Sequence, residues 1–122
     1  EKISKLFEDY IHKIAPKSVK VDVQALHGGL GYVCPIEMPA YKAASKAMER
    51  TYGKAPIPVR SGGSIPIIAK FEQILGIKSI LLGFGLEADA IHSPNENFPL
   101  KQFYNGIETI AHFYENFAEM GK

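Results

Sequence analysis

The chain has one cysteine, almost no net charge and no apolar run long enough to cross a bilayer. Each scarcity excludes something. Cys34 alone cannot close an internal disulfide, which favours a reducing, cytoplasmic setting. A membrane-spanning helix needs about 20 consecutive apolar residues, and a secretory leader needs a charged-then-apolar start with a small-residue cleavage site. Neither pattern is written here, so no membrane partner is expected. With 14 basic and 13 acidic residues the net charge is +1, so no nucleic acid is expected either.

What is present suits a folded chain. Apolar residues make up 46% of the 122, enough for a core, and the length fits one ordinary domain or pieces of two small ones. Charge is mildly uneven: residues 1–60 hold ten Lys/Arg against six Asp/Glu, and residues 61–122 hold four against seven. That asymmetry names no partner. The chain opens at Glu1 directly inside a helical pattern, which reads as a piece of a longer protein.

Ile3, Leu6, Phe7, Tyr10 and Ile14 recur at helical spacing, predicting a helix over 2–14 that Pro16 ends. Val19, Val21, Val23 and Ala25 alternate with polar residues, the pattern of a half-buried strand. Glycines at 28, 29 and 31 break it, and a domain boundary is expected near residues 28–35. Beyond it, residues 38–51 predict a helix whose small face (Ala40, Ala43, Ala44, Ala47) would let it approach a sheet closely before Gly53 closes it. Ile57–Arg60 reads as a short strand, Ile65–Leu75 as a helix ended by Gly76, and Ser79–Phe84 as a strand buried on both faces. A last helix carries Leu100, Phe103, Ile107, Ile110, Tyr114 and Phe117 at three-four spacing. That order implies a layered α/β domain with a largely parallel sheet and flanking helices. Two strands are few for such a sheet, so both halves read as incomplete domains.

Two segments have chemical potential. Arg60-Ser61-Gly62-Gly63-Ser64-Ile65-Pro66 joins a strand end to a helix start. The glycines let backbone N–H groups turn toward a ligand, Ser64 suits an N-cap, and Pro66 is tolerated in the first turn. With the Arg60 charge this makes a receptor for a carboxylate or phosphate. The same residues also suit a plain tight turn with a solvated Arg, and the Gly-Lys-Ser/Thr ending of a P-loop is absent. In the second segment, Gly83-Phe84-Gly85 leads into a loop with His92, Pro94, Asn95 and Glu96. A neutral imidazole is the commonest metal ligand, but one His does not hold a zinc ion, which takes about four ligands. A loop His beside a capping Asn fits equally well.

Together, the two segments resemble the co-catalytic zinc peptidase family that includes carnosinase, cytosolic non-specific dipeptidase, glutamate carboxypeptidase, acetylornithine deacetylase and succinyl-diaminopimelate desuccinylase. The resemblance runs over nearly the whole chain and is sharpest at Arg60–Pro66 and at His92-Ser93-Pro94-Asn95-Glu96, with Gly83-Phe84-Gly85 between them. It implies that residues 1–30 end an α+β lid or dimerisation domain and that residues 31–122 form the C-terminal part of the catalytic domain. It implies that His92 ligates one of two bridged metal ions, zinc or another divalent metal. Arg60, Gly62, Gly63 and Ser64 would hold the substrate's carboxylate, and Asn95 and Glu96 would fix the His loop. The substrate would be a small peptide or an N-acyl amino acid.

The departures matter as much. The family's other ligands come from a His-x-Asp pair and a tandem Glu-Glu that includes the general base, and neither pattern occurs here. His12 and His112 fall on predicted helices as surface or aromatic-packed residues, and His27, at the end of the lid strand, could reach a site across a dimer. The 122 residues alone are therefore expected to be inactive, and their unpaired strand edges to favour a homo-oligomer. A non-catalytic binding or assembly module, an N-acyl amino acid deacylase, and a phosphate or nucleotide site at Gly62-Gly63 remain alternatives.

Overall fold

The computed structural model describes residues 2–26, 28–60 and 65–120. Four α-helices organise them: α1 (Lys2–Ile14), α2 (Pro39–Tyr52), α3 (Ile67–Leu75) and α4 (Leu100–Met120), with a single 3₁₀ turn at Glu87–Asp89 before α4.

Local chemistry fixes the helix bounds. Pro16 cannot continue α1, and its carbonyl instead takes the Val19 N–H at 2.9 Å. Pro39 opens α2, where its missing N–H costs nothing. Gly53 (φ 70°) and Gly76 (φ 67°) close α2 and α3 in the left-handed conformation, their N–H groups bonded to Glu49 and Glu72 carbonyls. Helix α3 starts two residues later than expected, with Pro66 at its N-cap.

Among the described residues only α2 and α4 pack against each other. They run antiparallel. Asn116 Nδ2 donates to the Ala43 carbonyl (3.1 Å), Thr109 meets Thr51 (3.0 Å), and the Tyr52 hydroxyl donates to Gln102 Oε1 (3.3 Å). The α2 face is the expected small one, since Ala43, Ala44 and Ala47 are buried, but its partner is a helix and not a sheet. A buried methyl contributes about 0.8 kcal/mol, so the three alanines supply roughly 2–3 kcal/mol. The polar contacts set register more than they add stability. Thr109 Oγ1 also lies 2.7 Å from the Asn105 carbonyl. One hydroxyl hydrogen cannot serve both neighbours, so it takes the shorter bond and Thr51 donates to Thr109.

The face of α4 that packs is Gln102, Gly106 and Thr109. The apolar stripe singled out by spacing points the other way: Phe103 is 52% exposed, and Leu100, Ile107, Ile110, Tyr114 and Phe117 are exposed with it. Helix α1 touches no other described helix, and its apolar face is likewise exposed, Phe7 by 58%. The buried hydrophobic set is small: Ala43, Ala44, Ala47, Ile68 and Ala69. A fully formed core, expected from composition, is not built by these residues.

No strand forms among the described residues, so the layered sheet is not seen. A strand exists only through a ladder to a neighbour, and the backbone bonds outside the helices are turns and caps. At Val19–Ala25, Ile57–Arg60 and Ser79–Phe84 the side-chain pattern is present and the pairing is not. Ser79 shows one cause: both its N–H (3.0 Å) and its carbonyl (2.8 Å) are bonded to the Tyr32 hydroxyl, which takes the ladder position. The expectation of burial on both faces is also corrected, since Ile80, Leu82 and Phe84 are half-buried while Leu81 is exposed. Near the expected boundary, Gly29 lies so close to Pro66 that a Cβ there would overlap the proline ring. Cys34 is half-buried, and that burial pushes its thiol pKa up, making it a poor nucleophile at neutral pH.

Candidate functional site

The loop between Gly85 and α4 has the most constrained backbone among the described residues. Ala90 (φ 54°), His92 (φ 61°) and Asn95 (φ 64°) are left-handed, and no other non-glycine residue among those described is. Asn and His occur in this conformation more often than most residues do, while Ala pays about 1–2 kcal/mol for it. Such strain persists only where neighbours over-determine it, and it gathers at ligand sites.

Asp89 does the over-determining. Its carboxylate is 1% exposed, and Oδ2 accepts the Leu86 N–H at 2.7 Å. Its own N–H donates to the Leu86 carbonyl (3.0 Å), and its carbonyl accepts the Asn97 N–H (2.9 Å). This is the reach-back half of a capping box, the only half available because Leu86 has no side-chain acceptor. Two further turns, Ser93 N–H to Ala90 O (2.9 Å) and Glu96 N–H to Ser93 O (3.3 Å), shape the segment between.

His92 stands exposed on this loop with Asn95 and Glu96 beside it, as the chain order requires. Asn95 offers its carbonyl to Asn97 Nδ2 (3.3 Å), and Glu96 faces an open pocket of about 480 Å³ with Gly85, Asp89, Ile91, Asn97 and Phe98. Arg60 is exposed. Gly62, Gly63 and Ser64, the rest of the expected carboxylate grip, lie outside the described residues, as does His27. His12 is exposed on α1, and His112 is half-buried on α4 with Glu108 (3.4 Å) and Glu115 (3.3 Å) at its two ring nitrogens.

Asp89 was not singled out by sequence reasoning. The signal available was an acidic residue three positions after the start of a turn, a pattern too common to select it unaided.

The His92 imidazole is chemically suited to one bond with a divalent metal ion. No group of three or more His, Cys, Asp or Glu that could hold such an ion comes together among the described residues. Among the described residues His92 could supply one such bond, with no full ligand set gathered beside it. No described helix is long and apolar enough to cross a membrane.

Comparison with known proteins gives this loop its context. Residues 7–116 match the model of peptidase family M20/M25/M40, and the chain belongs to that family. It is 31% identical over 98% of its length to the Cys-Gly metallodipeptidase dug1 of Schizosaccharomyces pombe, and 27% identical over 98% of its length to human Beta-Ala-His dipeptidase. It spans 26% and 24% of those two proteins, about a quarter of their length. Among solved structures it resembles the dipeptidase Dug1p from Saccharomyces cerevisiae, with a TM-score of 0.70 and 34% identity over 75% of this chain and 19% of that one.

Proposed function

We propose that the chain forms part of a metal-dependent dipeptidase that hydrolyses small peptides with a free C-terminal carboxylate. The observation that carries this reading is the strained, internally bonded His92 loop inside a segment belonging to a peptidase family. The relatives' names support the substrate class, since both denote dipeptidases. In this reading His92 ligates one of two zinc ions, or another divalent metal. Bound metal supplies polarisation of the amide carbonyl and a water activated near neutral pH. Arg60, with Gly62, Gly63 and Ser64, grips the carboxylate through a full charge and backbone donors. Asn95 and Glu96 flank His92 and keep its loop in place.

The same reading divides the chain into residues 1–30, ending a lid or dimerisation domain, and residues 31–122, the C-terminal part of a catalytic domain with a layered sheet. It makes the 122 residues inactive alone, because no His-x-Asp pair or Glu-Glu occurs in them. It also makes the protein a cytoplasmic homo-oligomer. The exposed apolar faces of α1 and α4 call for a cover, which the rest of the full-length protein or a second copy would supply.

The test is hydrolysis of Cys-Gly and of its C-terminal amide by the full-length protein carrying this sequence, in zinc. Cleavage of the free acid with little cleavage of the amide is expected. Equal cleavage contradicts the carboxylate grip, and release of an acyl group from N-acyl amino acids in preference to dipeptides favours a deacylase instead.

A further inference from the structure

Resting on the reading of His92 as a metal ligand, we propose that Asp89 is the positioning residue that holds His92 in ligating geometry by closing the 86–97 loop. The Asp89 side chain makes one tie of that loop, Oδ2 to Leu86 N–H, and two backbone bonds complete it, the Asp89 N–H to the Leu86 carbonyl and the Asp89 carbonyl to Asn97 N–H. Between these ties sit Ala90 and His92, both left-handed without being glycine. Relaxing His92 from φ 61° to the ordinary negative range swings its Cβ, and hence its imidazole, to another direction. The closure bonds oppose that relaxation.

The second carboxylate oxygen supports a dedicated role. Oδ1 is buried with no hydrogen-bond partner among the described residues, on a side chain lining the open pocket beside the loop. A buried acceptor left unpaired is costly, and native structures keep few of them. Among the described residues, the cost is borne in the one loop that also bears left-handed non-glycine residues.

The test uses the full-length protein, stripped of metal and titrated with zinc by calorimetry, alongside amide hydrogen exchange resolved by peptide. Asp89→Ala is expected to weaken binding at the His92 zinc site about 10- to 100-fold. It should speed exchange within 86–97 while leaving 39–52 and 100–120 unchanged. Asp89→Asn keeps an acceptor for the Leu86 N–H and should bind zinc close to wild type. If Asp89→Ala does not fold, Asp89→Glu serves: it keeps the charge, displaces the acceptor by one methylene, and should move both readouts in the same direction. Wild-type zinc affinity alongside faster loop exchange overturns the proposal, as does unchanged loop exchange, as does Asp89→Asn binding as weakly as Asp89→Ala. His92→Gln in the same titration separates the two layers: if it retains wild-type zinc, the ligand reading itself fails.

Discussion

The Phe84 ring lies over the backbone of Gly106, so that a Cβ added to that glycine would stand 3.3 Å from Phe84 Cδ2. This contact anchors the end of the 79–84 segment on α4, a few residues before the His92 loop begins. Glycine in mid-helix sacrifices about 1 kcal/mol of propensity relative to alanine, and here it makes room for an aromatic ring.

Gly106→Val is therefore expected to lower stability by about 1–3 kcal/mol, the usual cost of overpacking. A denaturant titration of the full-length protein measures it. Phe84→Ala should suppress much of that loss in the double variant, because the ring is what valine meets. Strict additivity would mean the two positions do not touch.

Stability should also depend on acid through Glu115. Its carboxyl is held below the ordinary carboxylate range, first by the His112 hydrogen bond and then by Arg50, whose Nη1 lies 3.0 Å from Glu115 Oε2. A depressed pKa favours the folded state wherever the unfolded group has already ionised. The contribution is present above the ordinary carboxylate range and is lost as pH falls through the lower folded value. Comparing midpoints at about pH 7 and about pH 3, Glu115→Gln should show a smaller acid loss than wild type. The site is exposed, so the difference should shrink in high salt.

Substrate recognition is tested at Arg60. Replacing a charged donor that meets a carboxylate removes roughly 1.5–3 kcal/mol of interaction. Arg60→Ala should thus raise KM for a free-carboxylate dipeptide about 10- to 100-fold, with little change for the C-terminal amide. Equal effects on both substrates would assign Arg60 a structural role.

The helices were legible because their signals are local. Three-four spacing marked α1 and α4, and Pro16, Gly53 and Gly76 stopped α1, α2 and α3 where their backbone chemistry dictates. The facing of α4 was not legible. Periodicity locates an apolar stripe, but the described partner of α4 is the small face of α2, met through hydrogen bonds of Gln102, Thr109 and Asn116 that an apolar pattern does not mark. Strands fared worse because their signal concerns side chains while their existence depends on a neighbour. Val19–Ala25 alternates as a strand should and finds no ladder among the described residues. At the site, His92 was legible as a residue type in a marked motif. Its left-handed backbone, and the Asp89 bonds to Leu86 and Asn97 on either side of it, emerge only when the loop closes in three dimensions.

The most direct measurement is the zinc content of the full-length protein and its His92→Gln variant, purified identically and shown to be folded. Loss of one of two bound zinc ions in His92→Gln, together with loss of dipeptide hydrolysis, is the predicted result. Unchanged zinc content with unchanged hydrolysis would contradict it and leave the His92 loop without a catalytic role.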